Sequence, residues 1–177
     1  MRISGGDARG IKLKVPKGAR PASERVRLAI FSSIASHIPD ARVLDLFCGS
    51  GAYGLEALSR GASSGVFVDD DAAALAVCRA NATAIGESGS VTVRRSRVER
   101  YLARGGDGPF DLVFIDPPYR ERIDLHDVAR FLAPQALVVL EARWRDEPPP
   151  EVAGLVVAAD RRYGDTRVLT FSTSGAR

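Results

Sequence analysis

The residues with the clearest chemical use stand in two turns. Asp116-Pro117-Pro118-Tyr119 follows the apolar run Phe110–Ile115. Two consecutive prolines have no N–H to donate and hold φ fixed, so the turn is stiff and its carbonyls lack local partners. A carboxylate beside a fixed carbonyl makes a pair of acceptors, which suits an exocyclic NH2 with its two protons to donate. Tyr119 adds a flat face on which a base stacks. A plain rigid turn is the alternative. The position after a buried strand, opposite a glycine-rich turn, favours the clamp.

The second turn carries Gly49, Gly51 and Gly54 in the spacing GxGxxG, between an apolar run and a helical pattern. Glycines there let a ligand approach the backbone N–H groups. Asp69 lies 20 residues after Gly49, at the end of the next apolar run. A carboxylate in that place accepts hydrogen bonds from both hydroxyls of a ribose. These features fit a dinucleotide and fit S-adenosylmethionine (AdoMet). Asp45, ahead of the glycines, separates the two. It repels a pyrophosphate and attracts an ammonium group, which favours AdoMet.

The surrounding pattern shows how such turns are positioned. Arg2–Ser4 and Gly10–Pro16 alternate with period two around Gly5-Gly6-Asp7, which predicts a small basic hairpin. Ser23 is placed to cap a helix with Val26, Ile30, Phe31 and Ile34 at helical spacing, ended by Pro39. Short apolar runs at 43–47, 65–68, 91–93, 110–115 and 136–140 read as strands. Helical stretches are predicted at 55–58, 72–84, 96–102 and 127–132. Runs at 155–158 and 168–171 have only a polar turn between them and predict an antiparallel pair at one edge. Alternating strands and helices imply parallel βαβ units, hence a doubly wound α/β sheet with its site at the carboxyl ends of the strands.

Composition excludes several classes. The chain has 177 residues, 45% hydrophobic and 27% charged, which is ordinary for a globular domain. No window has the roughly 18 uncharged apolar residues of a membrane span. The basic start lacks the apolar core of a secretory signal. Cys48 and Cys78 stand in no CxxC spacing, and His37 and His126 have no ligand-spaced neighbours. No metal site and a reducing, cytoplasmic setting are therefore expected. The net charge of +3 is unevenly placed: residues 1–27 carry eight Lys or Arg against two Asp or Glu. That leaves a basic arm on a mildly acidic body, the pattern of a phosphate-binding appendage or of a solvated surface. Arg94, Arg95, Arg97, Arg100 and Arg104 form a second cluster that extends the same track.

Asp116-Pro117-Pro118-Tyr119 resembles the (Asp/Asn)-Pro-Pro-(Tyr/Phe) signature of AdoMet-dependent amino-methyltransferases. Nearly the whole chain resembles the RsmD family, bacterial 16S rRNA (guanine-N2)-methyltransferases. The resemblance is carried by Arg2-Ile3-Ser4-Gly5-Gly6 with Gly10–Leu13, by Arg20-Pro21 with Glu24–Arg27, by Asp45–Ala62, by the Asp-Pro-Pro-Tyr turn and by Tyr163–Thr166.

It implies a Rossmann-like class I methyltransferase at 21–177, a seven-stranded and mostly parallel sheet, with residues 1–20 as a basic RNA-binding extension. It implies that Asp45, Gly49 and Gly51 line the methionine part of AdoMet, with Phe47 and Ser50 in the same turn. Asp69, beside Asp70, would hold the ribose. Ser96-Arg97 stands where the family commonly shows Asp or Asn followed by Ala beside the adenine. Ser96 keeps a hydrogen-bonding group there, and Arg97 is bulkier than the usual Ala. Asp116, Pro117, Pro118 and Tyr119 would hold the target base. Arg2, Arg9, Lys12, Lys14, Lys17, Arg20 and Arg25 would meet rRNA phosphates, with the small ribosomal subunit as substrate and a monomer as the working form.

Adenine-N6 methylation is the nearest rival, since the clamp accepts either amine. A glutamine methyltransferase usually carries Asn in place of Asp116. A nicotinamide oxidoreductase leaves the Asp-Pro-Pro-Tyr turn unused, and a non-enzymatic RNA-binding module leaves the glycine turn unexplained.

Overall fold

A computed structural model describes residues 1–16, 23–118, 121, 123–149, 152 and 154–173. The chain runs α1 (Glu24–Ser33), β1 (Arg42–Leu46), α2 (Ala52–Ser59), β2 (Ser64–Asp69), α3 (Ala72–Ala84), β3 (Val91–Arg95), α4 (Val98–Arg104), β4 (Phe110–Ile115), α5 (Leu125–Ala129), β5 (Leu132–Arg143), β6 (Leu155–Tyr163) and β7 (Thr166–Thr173). The strands form one sheet in the order β3-β2-β1-β4-β5-β7-β6. The first five are mutually parallel, and β7 runs antiparallel to both β5 and β6. Strand order reverses between β1 and β4, so a crevice opens at their carboxyl ends.

The central strands β1, β2, β4 and β5 are covered on both faces, which is why they read as largely apolar runs, while β3 and β6 at the edges are more exposed. Leu44, Leu46, Val66, Val68, Val113 and Ile115 pack on α4 and α5. Val43, Leu112 and Phe114 face α1, Tyr53 and Ala57 on the other side. Phe67 joins α2, α3 and the N-terminal hairpin.

The hairpin forms as expected: Arg2 bridges Lys12, and Ile3 N–H donates to the Ile11 carbonyl at 3.0 Å. Its alternation has an inside and an outside. Ile3 and Leu13 are buried against Leu55 and Leu58, while Arg2, Lys12 and Lys14 are exposed. Beneath it, Glu56 accepts from Ser4 N–H (2.9 Å), Ser4 Oγ (2.6 Å), Gly5 N–H (2.9 Å), Arg27 (2.8 Å) and Arg60 Nε (2.8 Å). Gly6 passes so close that a Cβ would stand 1.6 Å from the Ser59 carbonyl oxygen. Arg27, counted in the basic arm, is thereby fully buried in an internal ion pair and lost to the outer face.

Several predicted boundaries move. α2 starts at Ala52 rather than Leu55, because the helix begins directly after Gly51 turns the chain at φ 80°. α4 starts at Val98 rather than Ser96, and α5 ends at Ala129 rather than Leu132. β5 is longer than 136–140: it includes Pro134 and Gln135, the latter at φ 65°, opposite an irregular step in β4. Ser23 precedes α1, but its side chain makes no capping hydrogen bond.

Candidate active site

The glycine turn is shaped by three residues in left-handed backbone, Phe47 (φ 57°), Gly49 (φ 53°) and Gly51 (φ 80°). Asp69, at the end of β2, fastens it from the side. Its carboxylate accepts from Gly49 N–H at 2.8 Å and from Asp71 N–H at 3.0 Å. Asp71 in turn caps α3 through Ala73 N–H at 2.8 Å. Asp45 fastens the turn from below, accepting from Gly54 N–H at 2.9 Å. Burial pushes the Asp45 carboxyl up to about 7, and the neighbouring charges of Asp116 and Asp69 act in the same direction. Asn81 of α3 donates to the Ser50 carbonyl and is bonded to both backbone groups of Lys14, so turn and hairpin share one anchor.

Only part of the GxGxxG pattern faces a ligand. A Cβ on Gly51 would stand 2.7 Å from Cys78 Sγ, and one on Gly54 2.4 Å from the Phe67 ring. These two glycines serve packing inside the protein. Gly49 is the one that borders open space.

That space is a cavity of about 1070 Å³ across the carboxyl ends of the strands, enough for a nucleoside-sized molecule together with a base. Phe47, Gly49, Ser50, Asp69, Asp70, Arg97, Asp116, Pro117 and Pro118 line it. Asp45 and Gly51 lie behind that wall. Ser96 does not line it: its Oγ donates to the Arg97 carbonyl at 2.9 Å and its N–H to the Asp69 carbonyl. Arg97 reaches the wall with a largely exposed side chain, 3.6 Å from Glu99. Tyr119 lies outside the described residues, as do Lys17 and Arg20.

The Asp116 carboxylate has no hydrogen-bond partner among the described residues, and burial pushes it up to about 6. The sequence reading missed two further groups in the wall. Glu141 ends the apolar run of β5, its Oε1 is buried with no hydrogen-bond partner among the described residues, and burial pushes its carboxyl up to about 7. Tyr53 Oη is also buried, with no partner among the described residues. A lone acid closing a strand next to the Asp-Pro-Pro strand was the available signal for Glu141.

The predicted phosphate-binding residues Arg2, Arg9, Lys12, Lys14 and Arg25 are exposed. Arg2 is partly engaged, donating to the Gly10 carbonyl at 2.8 Å. The arm reaches the cavity, whose mouth includes Met1, Val15, Pro16 and Ser23. In the second cluster Arg94 is paired with Asp107 at 2.9 Å, while Arg95, Arg100 and Arg104 are exposed.

A sheet of this order, with a glycine turn after β1, an acid after β2 and one cavity over both, defines the class I methyltransferase fold. Within that class the assignment is specific. The family described as Conserved hypothetical protein 95, the RsmD family, matches residues 1–172, and the chain belongs to it. Ribosomal RNA small subunit methyltransferase D of Escherichia coli (strain K12) is 40% identical over 156 residues, covering 84% of this chain and 78% of that one. The solved structure of the Escherichia coli protein yhhF superposes with a TM-score of 0.87 at 34% identity, covering 98% of this chain and 97% of that one. SMU.776, solved in complex with S-adenosylhomocysteine, shares the fold at 14% identity and a TM-score of 0.65, covering 81% of this chain and 49% of that one.

Proposed function

We propose that the chain transfers a methyl group from AdoMet to the exocyclic N2 amine of a guanine in 16S rRNA, acting as a cytoplasmic monomer on the small ribosomal subunit. The observation that carries this reading is Asp116. It is a carboxylate next to Pro117 with no partner among the described residues, in the same cavity as Gly49 and Asp69.

The residues present fit AdoMet. Asp69 and Asp70 line the cavity with Asp45 behind them, carboxylates suited to a cation, and Gly49 leaves room against the turn. When bound, AdoMet supplies a methyl group activated by a sulfonium. Asp45, Phe47, Gly49, Ser50 and Gly51 form the turn that holds its methionine end. Asp69 and Asp70 face the ribose, and Arg97 borders the adenine. Ser96 supports that corner through backbone contacts.

A guanine N2 is a poor nucleophile because its lone pair is delocalised into the ring. Asp116 and the Pro117 carbonyl accept its two protons and favour a pyramidal nitrogen with its lone pair aimed at the methyl group. Pro118 keeps the clamp stiff and Tyr119 stacks on the base. Alignment and electrostatics then supply most of the rate. The amine proton leaves to Asp116 or water. The base has to be unpaired or flipped to enter.

Residues 1–20 serve as the RNA-holding extension of a catalytic domain at 21–177. Arg2, Arg9, Lys12, Lys14, Lys17, Arg20 and Arg25 meet phosphates, which gives affinity with little sequence information. The arm's place at the cavity mouth supports this.

The test is mass spectrometry of nucleosides from small subunits lacking the modification, treated with the chain and AdoMet. N2-methylguanosine is expected, and Asp116→Ala is expected to lower its formation at least about a hundredfold with AdoMet binding retained. N6-methyladenosine as the product, or near-normal turnover by the variant, overturns the reading.

A further inference from the structure

Asp116 and Pro117 account for the two protons of the target amine, and they leave without a task Glu141, the wall acid with a buried oxygen that has no hydrogen-bond partner among the described residues. The last registered pair of β4 and β5 is Ile115 with Leu140. Asp116 and Glu141 are therefore the next residues out on adjacent strands, at the carboxyl end where the cavity opens. Both line it, and neither has a hydrogen-bond partner among the described residues. In Glu141 the oxygen Oε1 is fully buried. Buried acceptors are almost always paired, so an orphan in a cavity wall marks a donor that arrives with the ligand.

We propose that Glu141 accepts the N1–H of the target guanine and so selects guanine over adenine. The inference rests on the guanine-N2 reading. Guanine presents two neighbouring donors on its Watson–Crick edge, N1–H and N2–H2. Two neighbouring acceptors, Glu141 and Asp116, match them. Adenine presents its amine next to N1, which is an acceptor and has no proton to give. Above pH about 7, where Glu141 is ionised, it meets that lone pair with its own. A site built to hydrogen-bond a donor rejects the analogue lacking it more strongly than a hydrophobic pocket rejects a size change. No bond is made or broken by Glu141, which is a specificity-determining residue and not a proton-transfer group.

The experiment pairs a residue change with a substrate-atom change. Small subunits are reconstituted with guanine or with 2-aminopurine at the methylated position. 2-Aminopurine keeps the N2 amine and lacks the N1 proton. On guanine, Glu141→Ala is expected to lower kcat/KM about 10–100-fold, the range for one hydrogen bond to a charged group. AdoMet binding, followed by calorimetry, is expected to change less than about twofold. On 2-aminopurine the wild-type chain is expected to be slowed to a similar degree, and Glu141→Ala to add no further loss. Glu141→Gln keeps a neutral acceptor and the side-chain shape. It is expected to lose about 5–10-fold on guanine and nothing on 2-aminopurine, and it carries the test if the alanine variant folds poorly.

Equal losses on both bases would mean that Glu141 only supports the wall, and would overturn the inference. So would wild-type rates by the variants on guanine. In either case N2-methylguanosine remains the wild-type product and the function reading stands. A wild-type product other than N2-methylguanosine fails both.

Discussion

Two parts of the molecule hold carboxylates away from water and treat them in opposite ways. Under the hairpin, Glu56 is fully buried and accepts from five donors on Ser4, Gly5, Arg27 and Arg60. In the cavity, Asp116 and Glu141 have none among the described residues. Burying a charge without partners is costly, and burying one with good partners is tolerable. The clamp at Glu56 is therefore a piece of architecture, fastening the hairpin to α2. The cavity acids carry a standing cost that only a proton-donating or cationic guest relieves. Asp45 and Asp69 lie between these extremes, each bonded to a backbone amide of the glycine turn, Asp69 lining the cavity and Asp45 behind its wall.

The largest effect should come from cutting the clamp. Glu56→Ala leaves Arg27 buried without its counter-charge and frees Ser4 and Gly5. A loss of about 3–5 kcal/mol is expected, as for other buried pairs broken from one side. In a chain of this size that lowers Tm by roughly 10 °C. Urea denaturation checks it, and a loss under about 1 kcal/mol would erase the distinction between the two regions.

The opposite result is expected at Asp116. Asp116→Asn removes a desolvated charge, so the free energy of unfolding should hold or rise. Methyl transfer should fall about a hundredfold, since an amide cannot take the amine proton as a carboxylate does. The same group sets a pH limit. A carboxyl raised to about 6 is protonated below that pH and cannot accept the proton. The wild-type rate should therefore drop as pH falls through about 6 and level off above it. Measuring kcat/KM from acid to neutral pH checks the sign, and a rate that rises on acidification would exclude Asp116 as acceptor.

The sheet could be read from the chain because strands buried on both faces are largely apolar, and the run 110–115 coincides with β4. The long β5 could not. Pro134 and Gln135 look like a break, and only pairing with β4 and β7 shows that the strand continues through them. The glycine turn was found, but its division of labour was not: Gly51 and Gly54 avoid Cys78 and Phe67, residues 27 and 13 positions away. Glu56 looks like an ordinary helix acid, since its donors lie up to 52 residues distant. Glu141 looks like a strand-end charge until β4 brings Asp116 beside it. In each case the missing information was a partner contributed by another element.

A subtler separation is expected at Asp45, whose carboxyl is raised from 3.8 to about 7 by burial. The native state binds its proton more tightly than the unfolded chain does. Asp45 therefore lowers stability progressively as pH rises from about 4 to about 7. Asp45→Asn keeps an acceptor for Gly54 N–H and removes that dependence. It should be more stable than wild type by roughly 1–3 kcal/mol at pH 8, with the difference vanishing near pH 4. AdoMet affinity should weaken. Thermal melts across pH decide it, and a variant that is less stable at pH 8 would place Asp45 with Glu56 rather than with the cavity acids.

The smallest effect concerns the outer face of the hairpin. Lys12 and Lys14 are exposed, and their side chains take no part in the clamp beneath. Replacing both with Gln should change stability by no more than about 0.5 kcal/mol. If they meet rRNA phosphates, each substitution should flatten the slope of log K against log salt by about 0.7–0.9 and weaken binding alike across RNA sequences. Filter binding of rRNA over a salt series measures this without any methyl transfer. An unchanged slope would remove Lys12 and Lys14 from the RNA face. A reduced slope with unchanged stability would divide the hairpin by face, the inner one held by Glu56 and the outer one meeting the substrate.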